Sequence, residues 1–422
     1  MRIGFISFRL AGTDGVSLES AKIAQILDRM GHKIYYFAGE IDSEHVDQDL
    51  FSYSRSGQML IDTAHYTHPE IRWITEHAFG SRPDYPELRQ RIESTTAQLE
   101  LALKQFIGGY GLDLIIAQNV FALPLNIPLS LALQAIIGET GVPAIAHHHD
   151  FYWERDQYHP SLVEDILLST FPPRLPSLRH LVINSRAQNE LGQRGLASQI
   201  LPNFLDFASE PPGADLYNSD LRRELGLQDG DYLFLQPTRV IPRKGIELSI
   251  ELVSRLRDLP IKLVISHHAE LDSAGYLDAL QAQAQESGVS LIYAPEKFAP
   301  FRETNPNGRK VYRLWDAYVH ADFVTYPSLY EGFGNALVEA IYFRKSILVN
   351  RYPIYKEDIE PKGIQAVMIN GKVTDAAVKK VRDLLSASAL AERMAAHNFE
   401  VASREYSYER AESILSGVLN TF

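Results

Sequence analysis

The sequence predicts an α/β protein of two lobes, each built on a parallel β-sheet that is covered by helices on both faces. Short apolar stretches alternate with helical stretches along the chain, which is the rhythm of parallel sheets. This rhythm occurs twice, on either side of one linker. The chain has 422 residues, more than one core usually supports, so two domains of about 200 residues are expected.

The first lobe opens with a strand, a helix and a second strand. Ile3 to Phe8 predicts the strand, residues 17–30 predict a helix that stops at Gly31, and Ile34 to Phe37 predict the next strand. The polar segment 39–86 has no clear period and predicts loops and short helices. Further elements of the lobe are predicted at 88–106, 112–117, 129–138, 142–146 and 181–185.

The second lobe follows a linker that is marked by Pro202 to Asp206 and by the loose run Pro211-Pro212-Gly213. Its predicted elements lie at 232–236, 246–256, 262–265, 276–285, 291–293 and 323–326. The domains are therefore predicted as 1–205 and 206–405. Both are expected to be Rossmann-like and to face each other across a cleft, with ligands at the carboxyl ends of the strands.

Composition and charge limit the class of function. A formal net charge of −12 disfavours nucleic acid and anionic membranes as partners, because both attract basic patches. The chain has no cysteine, so disulfides and thiolate chemistry are excluded. Polar residues follow the first strand at once, and no apolar run reaches the roughly 20 residues of a membrane span. We therefore expect a soluble, cytoplasmic protein.

The most informative motif spans residues 330–340, with the sequence Tyr-Glu-Gly-Phe-Gly-Asn-Ala-Leu-Val-Glu-Ala. It predicts a strand, a glycine-bearing loop and a helix N-terminus, whose free N–H groups favour an anion such as phosphate. Glu331 lies before the helix and Glu339 one turn inside it. Two carboxylates beside an anion would repel it unless they accept hydrogen bonds from its hydroxyl groups. A nucleotide sugar offers both the diphosphate and the hydroxyls.

The motif resembles the Glu-(seven residues)-Glu signature of retaining glycosyltransferases with two Rossmann-like domains (the B-type glycosyltransferase fold), which include sucrose-phosphate synthases and bacterial mannosyl- and glucosyltransferases. The resemblance covers nearly the whole chain. It implies that Glu339 binds the ribose of the donor and that Glu331 holds hexose hydroxyls. The donor-binding set implied by the motif also contains Phe333, Gly334, Asn335 and Ala336. A final helix, about 406–422, is implied to return to the first lobe.

Two cations follow the first strand of the second lobe, at the strand end where this kind of fold binds ligands. By resemblance, Arg239 and Lys244 neutralise the diphosphate as it leaves, and Arg243 is expected to face solvent. The family requires no metal and no other cofactor. A UDP-, GDP- or ADP-hexose is the expected donor substrate, and the implied mechanism is front-face attack in which a leaving phosphate oxygen takes the proton of the acceptor.

Three consecutive histidines, His147 to His149, end the strand predicted at 142–146. Successive residues of a strand point to opposite faces, so the three rings are not expected to converge on a metal ion. The resemblance matches the pair His149-Asp150 and implies that His149 contacts the transferred sugar. The alternative is that His149 is a buried structural histidine. If the match to the family is shifted by one residue, His148 is the histidine implied to contact the sugar.

Two further segments of the first lobe are candidates for ligand contacts. The loop 12–16 holds two glycines, and the resemblance implies that the backbone of Gly15 and Val16 faces phosphate or sugar; a simple turn is the alternative. The segment 151–159 is rich in aromatic and charged residues, a mixture that binds sugars but also forms interfacial loops. Tyr152, Trp153 and Arg155 are the predicted acceptor contacts, together with the polar segment 39–86.

Two stretches depart from the family pattern. Residues 266–269 are Ser-His-His-Ala where a glycine-rich turn is usual, so the role of His267 and His268 stays open. Residues 343–346 are Phe-Arg-Lys-Ser where small residues are usual, a change that we interpret as structural.

The predicted function is transfer of a hexose, glucose or mannose, with retention, from a nucleotide sugar to a small polar acceptor. The acceptor classes considered are a free sugar, a sugar phosphate and a small hydroxy acid. The alternatives are a nicotinamide-dependent oxidoreductase, a sugar-nucleotide epimerase or phosphorylase, and a nucleotide-sugar sensor without turnover. The oligomeric state is not predicted.

Overall fold

A computed structural model of the chain describes residues 1–12, 14–42, 55–80, 86–270, 274–305 and 307–422. The chain divides into two compact units. Unit 1 comprises Met1–Pro202 and Ala411–Phe422, and unit 2 comprises Asn203–Arg410.

Unit 1 is built on a seven-stranded sheet whose strands are all parallel. In chain order the strands are β1 Arg2–Ile6, β2 Lys33–Ala38, β3 Arg55–Leu60, β4 Leu114–Gln118, β5 Ala144–His148, β6 Leu178–Val182 and β7 Ser198–Ile200. Their order across the sheet is β3-β2-β1-β4-β5-β6-β7. The carboxyl ends of β1, β4 and β5 therefore lie side by side, and the residues that follow them are brought together.

The strands of unit 1 are connected by helices. These are α1 Gly15–Arg29, α2 Pro69–Ala78, α3 Pro86–Tyr110, α4 Ile127–Thr140, α5 Glu164–Thr170 and α6 Ser185–Gln193. Local signals set their ends: Asn126 caps α4, where it accepts the amide N–H of Leu129 at 3.0 Å, and Gly141 closes that helix in a left-handed conformation. The core against β1 and β4 includes Leu99 and Leu133, both with no exposed surface.

Unit 2 contains a six-stranded parallel sheet and a small three-stranded sheet. Its strands are β8 Tyr232–Gln236, β9 Ile261–Ile265, β10 Ser290–Tyr293, β11 Phe298–Ala299, β12 Glu303–Thr304, β13 Lys310–Arg313, β14 Phe323–Tyr326, β15 Ile347–Asn350 and β16 Val367–Ile369. The large sheet has the order β10-β9-β8-β14-β15-β16 and the small one the order β11-β13-β12. Strands β8 and β14 are neighbours, so the loops that follow them are adjacent.

The remaining helices are α7 Leu221–Glu224, α8 Ile246–Ser254, α9 Ala274–Glu286, α10 Leu314–His320, α11 Asn335–Tyr342, α12 Asp375–Ser386, α13 Ser388–Glu405 and α14 Tyr408–Leu419. The core of unit 2 packs the large sheet against helices and includes Phe234, Ile250 and Phe323, none of which is exposed. None of the helices in the described parts of the chain has both the length and the apolar character needed to span a bilayer.

The predicted α/β class with parallel sheets is confirmed, and the strands predicted at 232–236 and 323–326 are found with the same bounds. Strand β3 was missed, because the segment 39–86 was interpreted as loops and short helices. Among the described strands it lies at the sheet edge and pairs with β2 alone, through an irregular register, so its sequence carries no two-sided apolar pattern. Residues 43–54 and 81–85 of that segment lie outside the described residues.

A pair of buried histidines links β5 to β6. Nε2 of His148 lies 3.0 Å from Nδ1 of His180, so one ring must donate and the other accept. Burial, together with the charge of Arg179, lowers the pKa of His180 to about 4. His148 is also buried, and burial holds its pKa well below the ordinary value. Both rings are therefore neutral at neutral pH.

This pair predicts that the fold loses stability in weak acid. The pKa of an unfolded histidine is near 6.5, which is above the folded pKa of about 4. Between these two pH values the unfolded state therefore binds more protons than the folded state. The contribution of the neutral histidine to the free energy of unfolding is complete above about pH 6.5. It falls as the pH decreases towards about 4, by about 3 kcal/mol for His180. Urea unfolding followed by circular dichroism over this range should show the loss. His180→Phe should reduce the pH slope, whereas His268→Gln, at an exposed position, should not. An unchanged slope in His180→Phe would contradict the assignment.

Candidate active site

The first turn of α11 offers free N–H groups at the end of the loop that follows β14. Its N-cap is Gly334, with φ of 130°, and among the described residues no side chain caps this helix. A Cβ at Gly334 would lie 2.8 Å from the hydroxyls of Tyr326 and Tyr352, so glycine is required there. The Asn335 side chain accepts a hydrogen bond from Asn203. The contact with Asn203 thus holds the start of the helix in place, while the N–H groups of its first turn remain open to an anion.

The Glu339 carboxylate points to helix α10. It accepts a hydrogen bond from the hydroxyl of Tyr318 at 3.0 Å and from the indole N–H of Trp315 at 3.4 Å. Neither partner was predicted from the sequence. Glu339 is partly exposed, so both donors orient a carboxylate that solvent can reach.

Glu331 accepts hydrogen bonds from two cations. Lys244 donates to Oε1, and Nη1 of Arg243 donates to Oε2 at 3.0 Å. The side chains of Glu331 and Lys244 are each 10% exposed, and that of Arg243 is 39% exposed. Burial raises the pKa of Glu331, but Lys244 and Arg243 outweigh burial and hold that pKa below its ordinary value. Glu331 is therefore ionised, and we call these three residues the ion triad.

Arg243, which was expected to face solvent, is 39% exposed but also donates to Glu331, a contact that the sequence did not predict. The turn 242–244 lies against the loop that follows β14, and the carbonyl of Arg243 accepts the amide N–H of Leu329 at 2.8 Å. Gly245 closes this turn with φ of 61°, and a Cβ there would lie 2.5 Å from the carbonyl oxygen of Pro327. The close approach of the two loops brings Arg243 onto Glu331.

The ion pair of Arg239 is made outside the ion triad. It pairs with Glu270, and both side chains are about half exposed, at 55% and 44%. His267 follows β9 and its Nδ1 lies 2.9 Å from the hydroxyl of Ser266. Burial, together with the charges of Lys244 and Arg239, lowers the pKa of His267 to about 4. A neutral histidine thus lies near both cations, a position that the sequence left open.

In unit 1, the histidines at the carboxyl end of β5 follow the predicted alternation. The rings of His147 and His149 lie 4.5 Å apart, while the ring of His148 lies 5.1 Å from that of Phe151. Burial lowers the pKa of His149 to about 4, although Asp150 and Asp14 oppose the shift. Nε2 of His149 has no hydrogen-bond partner among the described residues. His149 is thus a neutral ring with one buried nitrogen that lacks a hydrogen-bond partner in this part of the structure.

Asn119 holds the end of β5 in place. Its side chain accepts the amide N–H of His149 at 3.0 Å and donates to Oδ1 of Asp150 at 3.2 Å. Its φ is 61°, which places it in the left-handed region. Asparagine tolerates this region better than most residues, so an Asn that directly follows a buried strand was the available signal. Arg155 donates to the other carboxylate oxygen of Asp150.

The start of α1 is closed by a carboxylate. Asp14 accepts the amide N–H groups of Val16 at 3.0 Å and of Ser17 at 3.2 Å, and Arg9 pairs with it at 2.8 Å. The Val16 amide, predicted to face phosphate or sugar, is therefore already used. A Cβ added at Gly15 would meet no atom within 4 Å among the described residues, and its φ is not positive, so neither observation requires glycine there. Thr13 of this loop lies outside the described residues.

Helix α1 also buries an ion pair. Lys22 donates to Glu19, and their side chains are only 8% and 1% exposed. The charge of Lys22 acts on His149 and contributes to lowering its pKa. Burying an ion pair is costly, so this pair was not expected on the apolar face of a helix. The sequence signal is a glutamate and a lysine three residues apart among apolar neighbours.

The aromatic segment after β5 packs internally. The ring of Trp153 is stacked on Phe151 at 4.3 Å, is covered by Arg194 at 3.6 Å, and donates its N–H to Glu190 at 2.6 Å. Tyr152 is 6% exposed and belongs to the core. Both faces of Trp153 are thus occupied, and stacking of a sugar on them is not supported. Phe333 is likewise buried, against Tyr406. Of the three predicted acceptor contacts, Arg155 retains an exposed side chain, at 43%.

Comparison with known proteins identifies the family. The profile described as "Glycosyl transferases group 1" matches residues 304–400, which include Glu331 and Glu339. A "Mannosylglucosylglycerate synthase" of Thermotoga maritima is 33% identical over 99% of both chains. A second, from Petrotoga mobilis, is 33% identical over 88% of this chain and 87% of its own. The chain belongs to the group 1 glycosyltransferases. It is a glycosyltransferase of the nucleotide-sugar-dependent kind, and the predicted resemblance is confirmed.

Solved structures agree with this fold. Anabaena HepE in complex with UDP and glucose has a TM-score of 0.67 at 15% identity, with full coverage of both chains. Sucrose-phosphate synthase from Thermosynechococcus elongatus also has a TM-score of 0.67 at 15% identity, covering 100% of this chain and 98% of its own. The B-type glycosyltransferase fold, predicted from the sequence, is confirmed.

The close contact at Gly245 predicts a position-specific cost. Gly245→Ala adds a methyl group against a backbone carbonyl that side-chain motion cannot relieve. Gly230→Ala is the matched control, since Gly230 also has positive φ, at 89°, but open space around it. Gly245→Ala should destabilise the protein by about 1–3 kcal/mol more than the control, as measured by urea unfolding. Equal costs would show that the two loops separate readily.

Proposed function

We propose that this protein synthesises mannosylglucosylglycerate by transferring mannose, with retention, from a nucleotide sugar to glucosylglycerate. The observation that carries the proposal is 33% identity over 99% of both chains to a synthase of that name. The acceptor fits the predicted class, since glucosylglycerate is a small polar molecule derived from a hydroxy acid. It is also consistent with a net charge of −12, which favours neither membranes nor nucleic acid.

Unit 2 is proposed to bind the donor. The open first turn of α11 suits a phosphate oxygen or a sugar hydroxyl at the amides of Gly334, Asn335 and Ala336. Glu339, oriented by Tyr318 and Trp315, suits the hydroxyl groups of the ribose. The nucleotide base stays open among uracil, guanine and adenine.

The ion triad is proposed to exchange partners when the donor binds. Lys244 would turn from Glu331 to the diphosphate, assisted by Arg239, and Glu331 would then accept hydrogen bonds from hexose hydroxyls. A cation held beside a departing diphosphate stabilises the charge that develops there. Because Glu331 is held by two cations, it keeps Arg243 as a partner when Lys244 moves. No metal ion is required by this arrangement.

The proposed reaction balances without an enzymatic nucleophile. The bond between the anomeric carbon and the diphosphate oxygen breaks, and the acceptor oxygen forms its bond to the same face of that carbon. The acceptor proton passes to the departing phosphate oxygen, which gives a nucleoside diphosphate and the glycoside. His149 of unit 1 is proposed to contact the transferred sugar. Its ring is neutral because it is buried, so it hydrogen-bonds to a hydroxyl without adding a full charge.

The function is tested by product formation. The purified protein should convert glucosylglycerate and one of UDP-, GDP- or ADP-mannose into mannosylglucosylglycerate, which is detected by mass spectrometry; NMR should show the same anomeric configuration as in the donor. The matching glucose donors are the controls for hexose choice. Donor consumption without acceptor would favour an epimerase, and binding without turnover would favour a sensor. No transfer to glucosylglycerate from any of these donors would refute the proposal.

The role of Lys244 predicts a specific kinetic loss. Lys244→Ala should lower turnover by about 10²–10³, the scale of losing one preorganised group at a charged transition state. Arg243→Gln is the matched control, because Arg243 also contacts Glu331 but is assigned no contact with the diphosphate. It should lower turnover by less than about tenfold. Equal losses in the two variants would indicate that both cations act only by positioning Glu331. Circular dichroism checks that each variant is folded.

A further inference from the structure

A chain of polar contacts leads from His149 to Arg155 in unit 1. Asn119 ties the His149 amide to the Asp150 carboxylate, with distances of 3.0 and 3.2 Å. Asp150 then accepts a hydrogen bond from Nη2 of Arg155. Asp150 therefore holds the guanidinium of Arg155, and Asp150 directly follows His149, the residue proposed to contact the transferred sugar.

Arg155 keeps hydrogen-bond capacity after this contact. A guanidinium carries N–H groups on more than one edge, and in the described part of the chain Asp150 alone accepts one from Arg155. Its side chain is 43% exposed, so a ligand can reach part of it. Asp150 fixes the orientation of the fork, which reduces the entropy lost when a ligand binds.

A second carboxylate on the same guanidinium is chemically reasonable. Arg302 of this chain already binds two: Nη1 donates to Asp215 at 2.6 Å, and Nε donates to Asp316 at 3.0 Å. Asp150 also accepts a hydrogen bond from Asn119, so it does not depend on Arg155 for both of its oxygens. Arginine forks bind carboxylates with two parallel hydrogen bonds, which gives both affinity and orientation.

Other cations of unit 1 are less suited. Lys22 is 6% exposed and paired with Glu19. Arg194 lies on the ring of Trp153 at 3.6 Å. Arg9 is a rival; it is bound to Asp14, whose carboxylate also caps α1, and its side chain is 33% exposed.

We infer that Arg155 binds the carboxylate of the acceptor and so makes the enzyme select a glycoside of glycerate over a neutral glycoside. The inference rests on the proposed function, because it takes glucosylglycerate as the acceptor. Arg155 is thereby a residue of acceptor specificity, and Asp150 and Asn119 position it.

The test compares two acceptors that differ only in the charged group. Glucosylglycerate carries the carboxylate, and glucosylglycerol carries a hydroxymethyl group instead. The full chain should prefer the acid, and Arg155→Gln should reduce kcat/KM for glucosylglycerate by about 10- to 100-fold, mainly through KM. The same variant should change kcat/KM for glucosylglycerol by less than about threefold. Arg155→Lys, which keeps the charge, should retain part of the preference and serves if Arg155→Gln does not fold.

Two further variants complete the design. Arg89→Gln is the matched control, since Arg89 is a half-exposed arginine that pairs with Asp165 at 2.7 and 3.0 Å; it should leave the preference intact. Arg9→Gln tests the rival cation. A preference that survives both Arg155 variants, or that Arg9→Gln abolishes instead, would overturn the inference while the proposed function stands. Transfer to neither acceptor by the unchanged protein would overturn the proposed function and the inference with it.

Discussion

The nearly buried carboxylate of Glu331 is the constraint on which the second unit depends. A charge with so little exposure costs on the order of several kcal/mol unless it is paired and hydrogen-bonded. Lys244 and Arg243 supply the pairing from the turn after β8, and this requires that turn to lie against the loop after β14. Gly245 permits the approach, because any side chain there would meet the backbone of Pro327. The parallel order of β8 and β14 makes the two loops neighbours in the first place.

The first unit handles its buried polar groups differently. Its buried His148 and His180 are neutral because burial disfavours the charged form, and the two rings share a hydrogen bond across two strands. Its buried charges, Glu19 and Lys22, are paired within one helix. As a result, the carboxyl end of the sheet carries little unbalanced charge around His149. Such a site suits hydroxyl groups of a sugar, whereas the cations of unit 2 suit a diphosphate.

Much of this organisation could be predicted from local patterns. The strands at 232–236 and 323–326 are apolar runs bounded by turn residues, and burial on both faces makes such runs easy to recognise. The glycine-bearing loop before α11 could be predicted because the steric need for Gly334 is expressed in the sequence itself. Strand β3 could not, because an edge strand is specified by its neighbour more than by its own residues.

The sequence by itself determined the α/β class, the family, and the set of residue types that a diphosphate and a sugar require. Only the tertiary structure decided which of these side chains are already occupied. Arg243 donates a hydrogen bond to Glu331, and Asp14 accepts the amide N–H of Val16. Phe151 and Arg194 pack on the ring of Trp153. The physical reason is that hydrogen-bond capacity and ring faces are limited, and residues far apart in the chain compete for them. That competition is set by the approach of loops and helices, which spacing along the sequence does not record.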